Sequence, residues 1–137
     1  MAADETFYDD VHVGEHVESP GLTVTEAHVS LYRGLAAEPD DDPGAVPELL
    51  PLCLSTGLGW RVPRPPLAVR AFMGFEWQIV KPLRVGDTIR GRSRVAQKRA
   101  MRDGGVIVEE HEVVDQRDDV VQRGRFTFLV ARRPPTP

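Results

Sequence analysis

Along the C-terminal half of the chain, β-branched and aromatic residues recur in runs broken by Gly, Asp and Pro, the pattern of antiparallel strands joined by tight turns. Val69 to Val80 is the first run and ends at Lys81-Pro82. Val85-Gly86-Asp87 turns into a second run, Thr88 to Met101, and Asp103-Gly104-Gly105 into a third, Val106 to Asp115. A polar turn, Gln116 to Asp119, precedes the last strand, Val120 to Arg132, which carries Phe126, Phe128 and Val130 on one side. The third run has no cleanly apolar face. Val106, Val108, Glu110 and Glu112 alternate with Ile107, Glu109, His111 and Val113, so the side that meets the core is left open. The Pro-rich tail, Arg133 to Pro137, is expected to fray.

The N-terminal half has a different period. Thr25 stands as an N-cap before Glu26 to Ala37, where Ala27, Leu31 and Leu35 fall at helical spacing beside Val29 and Tyr32; this predicts a short amphipathic helix. A loop rich in Asp, Pro and Gly follows from Glu38 to Val46, and then Leu49 to Leu58, dense enough in Leu to be a buried helix. Pro51 is comfortable only in the first turn of such a helix, so the helix starts close to it or kinks. One nearly all-apolar helix ahead of long antiparallel strands predicts an α+β domain in which a curved sheet wraps a central helix. Such a sheet leaves edge strands to be paired, a need that a dimer with a continuous sheet would meet.

The length, 137 residues, suits one domain spanning the whole chain. No apolar stretch approaches the ~20 residues of a membrane span, and the first ten residues are acidic, without the apolar core of a secretory signal. A cytoplasmic location is therefore expected, with no membrane partner. Cys53 is the single cysteine, flanked by Leu52 and Leu54, and is expected to be a small buried hydrophobe rather than a redox or metal-binding thiolate. A net charge of -4 gives no general attraction to nucleic acid. One segment is nonetheless basic, with Arg90, Arg92, Arg94, Lys98, Arg99 and Arg102. It is either the solvated face of a strand or a docking surface for an acidic partner, such as an acyl carrier protein or the phosphates of coenzyme A.

Three stretches in order are similar to the MaoC-like hydratase/dehydratase family. They are Tyr8-Asp9-Asp10-Val11-His12-Val13-Gly14-Glu15 with Ser19-Pro20-Gly21 and Thr23 to Val29; the Leu-rich Leu49 to Leu58; and Val80-Lys81-Pro82-Leu83-Arg84-Val85-Gly86-Asp87-Thr88. The resemblance implies a hot-dog fold, a central helix wrapped by a curved antiparallel sheet. It also implies chemistry on acyl thioesters of coenzyme A or an acyl carrier protein, without a cofactor or metal. Members of the family use an Asp and, five residues on, a His between the two helices; a backbone N–H near a His-Gly pair polarises the thioester carbonyl. Aligned on Leu35-Ala36-Ala37, Glu38 takes the position of that Asp, Asp40 stands near that His, and Pro47-Glu48 replaces His-Gly. The usual Asp/His pair is missing.

Removing an α-proton and expelling hydroxide needs a base, an acid and an oxyanion donor. The acidic loop supplies candidates in Glu38, Asp40, Asp41 and Glu48, because neighbouring carboxylates can separate into acid and base; the same residues also read as a solvated turn. Glu48 stands where hot-dog thioesterases often carry a Glu, though a helix N-terminus would stabilise its anion. Trp60 and Arg61, with Arg64 and the prolines at 63, 65 and 66, close a substrate tunnel or form a rigid connector. Phe72 and Trp77 line either the core or a ring-shaped product. His12, His16, His28 and His111 read as surface or packing residues, with His111 the strongest exception. The functions in view are a dehydratase-type lyase or a diverged cyclase or isomerase on a polyketide- or fatty-acyl-type substrate, a thioesterase using Glu48, and a non-catalytic subunit. The assembly is expected to be a homodimer or a heteromer with another hot-dog subunit.

Overall fold

A computed structural model of the chain describes residues 4–37, 39 and 41–136. Four long strands dominate it: β3 (Val69–Ile79), β4 (Thr88–Met101), β5 (Gly104–Val114) and β6 (Val120–Val130). A short β1 (His16–Glu18) joins the edge of β4, giving the order β1-β4-β5-β6-β3, and β2 (Leu22–Thr23) pairs with the start of β4. All pairings in this sheet are antiparallel. The strands lie where the alternating pattern places them, with one correction. Gly104 faces Met101 across a hairpin, so the turn is Arg102-Asp103 and both glycines belong to β5. Gly105 is used there for close approach, because a Cβ at that position would run into the Tyr8 ring.

The first helix, α1, runs Glu26–Ala36 and is closed at both ends by local chemistry. The Thr25 hydroxyl accepts the His28 N–H, while the His28 Nδ1 accepts the Thr25 N–H at 3.0 Å. An imidazole thus plays the reciprocal role that a Glu or Gln takes in a capping box. The helix stops at Ala37, whose φ of 54° is left-handed. The second helix, α2 (Leu50–Leu58), places Pro51 in its first turn, where the missing N–H costs nothing. It lies against β4 and β5 with Leu50, Pro51 and Leu58 buried. Leu49 and Cys53, however, are exposed. The helix is therefore buried on one side only, because this chain covers only that side, and Cys53 is not the buried hydrophobe expected.

Two apolar clusters form the core. One gathers Val24, Val29, Val46, Leu50, Leu83, Ile89, Val113 and Val121. The other gathers Tyr8, Val11, Ala68, Val95, Ile107, Val130 and Ala131. Along β5, Ile107 belongs to one cluster and Val113 to the other, so the open question of its inner face is answered: the Ile107, Glu109, His111 and Val113 side is inward. The basic segment lies beside the outer acids of β5. Arg92 opposes Glu112 and Arg94 opposes Glu110 in register, with ion pairs at 3.4 and 2.9 Å, and Arg90 pairs with Asp118. Over Arg90, Arg92 and Arg94 the segment is a mosaic of paired charges, while Lys98 turns to the Val11 carbonyl.

Trp77, partly buried, packs against the cluster that holds Val113 and Val121. Its ring lies over Gly124, and its Nε1–H donates to Gln122 Oε1 at 2.8 Å; Gln122 Nε2 then donates to the Glu48 carbonyl at 2.7 Å. This chain of bonds fastens the segment before α2 to the middle of the sheet. A Cβ on Gly124 would meet the Glu76 carbonyl and come within 2.6 Å of the indole. Backbone cannot yield there, so Gly124→Ala is expected to cost about 3 kcal/mol or more in urea unfolding; a loss below ~1 kcal/mol would contradict so close an approach.

Candidate functional site

Between the two apolar clusters the inner face carries Glu109 and His111, which strand alternation forces to the same side as the core residues Ile107 and Val113. Above them lies a cavity of about 340 Å³, roofed by the end of α2 and by the connector from Trp60 to Leu67. The wall is mostly apolar, with Val17, Val69, Phe72, Phe126 and Phe128 from the strands and Pro65 and Pro66 from the connector. The polar groups converging on it are Arg64, Ser93, Glu109 and His111, joined by Ser55 and Thr56 of α2.

Glu109 is 5% exposed. Burial pushes its carboxyl above the usual value, while the Arg64 guanidinium and a hydrogen bond with Ser93 pull the other way. Arg64 approaches at 3.8 Å and is also 3.4 Å from Glu15 on the rim. His111 is pushed down to about 4, first by burial and then by the charge of Arg64. Its Nε2 is 3.9 Å from Glu109 Oε2, a close approach rather than an ion pair, because burial keeps the imidazole neutral near pH 7. Among the described residues that Nε2 is buried without a hydrogen-bond partner, and the ring lies 4.1 Å from the Phe126 ring. A buried polar atom with an open bonding position, beside a carboxyl of raised basicity, is an arrangement suited to moving a proton.

The residues singled out from the sequence fall in different places. Trp60, 76% exposed, stands at the mouth of the cavity, and Phe72, half exposed, lines it. Arg64 reaches the buried carboxyl, so the Pro-rich connector both braces the chain and supplies a charge. Arg61 is exposed and outside the lining, and Trp77 is a core residue also outside it. Asp41 and Glu48 are exposed and do not line the cavity; Glu38 and Asp40 lie outside the described residues. Asp42 is held by Arg84, with Oδ2 2.7 Å from NH1, and is thereby a loop anchor. Sequence reasoning set Glu109 aside because the face of its strand was undecided. Its signal was two ionisable residues between Ile107 and Val113 on the inward side.

The course of the chain is shared with solved structures over nearly its whole length. A monoamine oxidase regulatory protein from Archaeoglobus superposes with a TM-score of 0.86 at 23% identity, covering 98% of this chain and 99% of that one. A MaoC-like dehydratase from Rhodospirillum rubrum gives 0.79 at 22%, covering 95% and 99%. This chain has the hot-dog fold. The R-hydratase PhaJ1 from Pseudomonas aeruginosa superposes on this hot-dog domain with a TM-score of 0.75 at 14% identity, covering 95% and 94%. No protein family and no curated protein matches the sequence. No helix among the described residues is long and apolar enough to cross a membrane.

In proton NMR titration the His111 ring is expected to change charge near 4, far below its ordinary 6.5. Arg64→Gln, by removing a positive neighbour, should move that midpoint upward. Between pH 6.5 and about 4 the unfolded chain binds a proton that folded His111 refuses, so stability falls as the pH is lowered through that window. The contribution is at most about 3 kcal/mol, and His111→Gln should remove it; an unchanged pH slope would contradict the burial of the imidazole.

Proposed function

We propose that this hot-dog domain processes an acyl thioester by proton transfer, with Glu109 as the base. The observation that carries this reading is the pairing of a buried carboxyl of raised basicity with a neutral imidazole, its Nε2 unpartnered, on the floor of an apolar cavity. Structural likeness to a MaoC-like dehydratase and an R-hydratase supports the substrate class. Desolvation strengthens Glu109 as a base relative to a carboxylate in water. A neutral imidazole of low pKa is a weak base and a useful hydrogen-bond donor to an oxygen that gains negative charge. Arg64 adds a positive field to the same space.

In a dehydration, Glu109 takes the α-proton, the C–H electron pair forms the Cα–Cβ double bond, and the β C–O bond breaks. The proton held on Glu109 then leaves with the hydroxide as water, and His111 donates its N–H to the thioester oxygen while enolate character develops. Returning the same proton to a different carbon would instead isomerise the chain, so a lyase and an isomerase need the same two residues. Glu48 and Asp41 have no part in either course, since neither reaches the cavity.

A β-hydroxyacyl pantetheine thioester incubated with the protein should lose water or exchange its α-proton for deuterium, read by mass spectrometry. Glu109→Gln should slow this about 10²–10⁴-fold and His111→Asn by a smaller factor, whereas Glu48→Gln should stay within about twofold of the parent. Full activity in Glu109→Gln would overturn the assignment, and thiol release that disappears in Glu48→Gln would favour the thioesterase. No turnover with any thioester would favour a non-catalytic subunit.

The same proposal includes a second subunit, either another copy or a related hot-dog chain. β3 is an edge strand, and Met73, Phe75 and Ile79 on it are exposed, as are Leu49, just before α2, and Cys53 within it. An apolar edge of this length is covered in stable proteins. Light scattering at micromolar concentration should give twice the chain mass, and Phe75→Lys should shift the population to monomer.

A further inference from the structure

We infer that the acyl group accepted by this cavity carries a flat aromatic or conjugated ring, seated against Phe72 and Phe128 with its carbonyl end toward Glu109 and His111. This deepens the proposed function and rests on the acyl-thioester reading of the same cavity. Phe72, Phe126 and Phe128 meet as a corner of rings, with centroids 5.7 Å apart at 84° for Phe72 and Phe126, 5.4 Å at 52° for Phe72 and Phe128, and 6.2 Å at 88° for Phe126 and Phe128. Phe126 is buried within this corner, whereas Phe72 is 52% exposed and turns apolar ring surface to the open side. Pro65 and Pro66 border the same space and Trp60 stands at its mouth.

A saturated chain in such a corner gains only from the area it buries. A planar ring gains in addition from edge-to-face and offset contacts that an alkyl chain cannot make. At about 340 Å³ the cavity is at the small end for ligand sites, suited to a compact group and not to a long extended chain. Ser55 and Thr56 of α2 line the roof of this space, while its ionisable groups meet at one place, Glu109 and His111 side by side on β5 with Arg64 reaching Glu109 from the connector. A ring held against the phenyl corner leaves its attached carbonyl facing them.

Binding separates this inference from catalysis when the ligand cannot react. The cinnamoyl and nonanoyl amides of pantetheine have equal carbon number in their acyl groups, and the nonanoyl compound is the more apolar. Calorimetry should show the cinnamoyl amide binding about tenfold more tightly. In Phe72→Leu, a half-exposed position where the fold is retained, the preference should fall to about twofold. The His111 ring protons should shift further with the cinnamoyl amide than with the nonanoyl amide, whose acyl group carries no ring current. Equal or tighter binding of the nonanoyl amide, or a preference that Phe72→Leu leaves intact, would overturn the inference. Inactivity of the parent toward β-hydroxyacyl thioesters would instead bear on the proton-transfer reading and leave these affinities as they are.

Discussion

The structure turns on the burial of two ionisable side chains in the middle of an apolar row. Strand alternation puts Glu109 and His111 on the same face as Ile107 and Val113, and those two valleys of apolar packing hold β5 in place on either side. Neither ionisable group can turn outward without turning its neighbours out as well, because a one-residue slip would expose the whole inner face. The cost of desolvating them is offset only in part, by one guanidinium and one hydroxyl. That imbalance is what gives a carboxyl extra basicity and leaves an imidazole neutral.

Other features of the chain hold this arrangement open. The connector after α2 is braced by three prolines, and it sets Arg64 between Glu15 and Glu109. On the opposite side, Gly124 makes room for Trp77, whose bond to Gln122 ties the segment preceding α2 to the sheet. The outer face pairs its charges strand to strand and so solvates the sheet without competing for the inner acids. Exposed pairs of that kind add little stability. Their contribution is to keep one face polar and so fix which face goes in.

Much of the fold was legible in the sequence because periodicity reports on elements directly. The bounds of β4, the N-cap of α1 and the place of Pro51 in the first turn of α2 all follow from local chemistry. The site was less legible. Glu38, Asp40, Asp41 and Glu48 drew attention as a run of acids, yet the described members of that run are solvated, whereas Glu109 stands in a strand whose two faces each hold acids and valines. Alternation cannot choose between such faces; the neighbouring strands choose, by placing Val95 and Phe126 across from Glu109. Cys53 misled for a related reason, since flanking leucines say that a helix is apolar but not which of its sides this chain covers. For Trp60 and Phe72 the sequence left two readings open, and both residues border the cavity.

Burial makes Glu109 a stronger base than a carboxyl in water. Carbon-13 NMR of selectively labelled glutamate, assigned through Glu109→Gln, measures this without any substrate. A midpoint above the ordinary 4.5 is expected for Glu109. A midpoint at or below that value would mean that water or Arg64 reaches the carboxylate well enough to hold it as an ordinary anion, and the site would lose the base on which its chemistry depends.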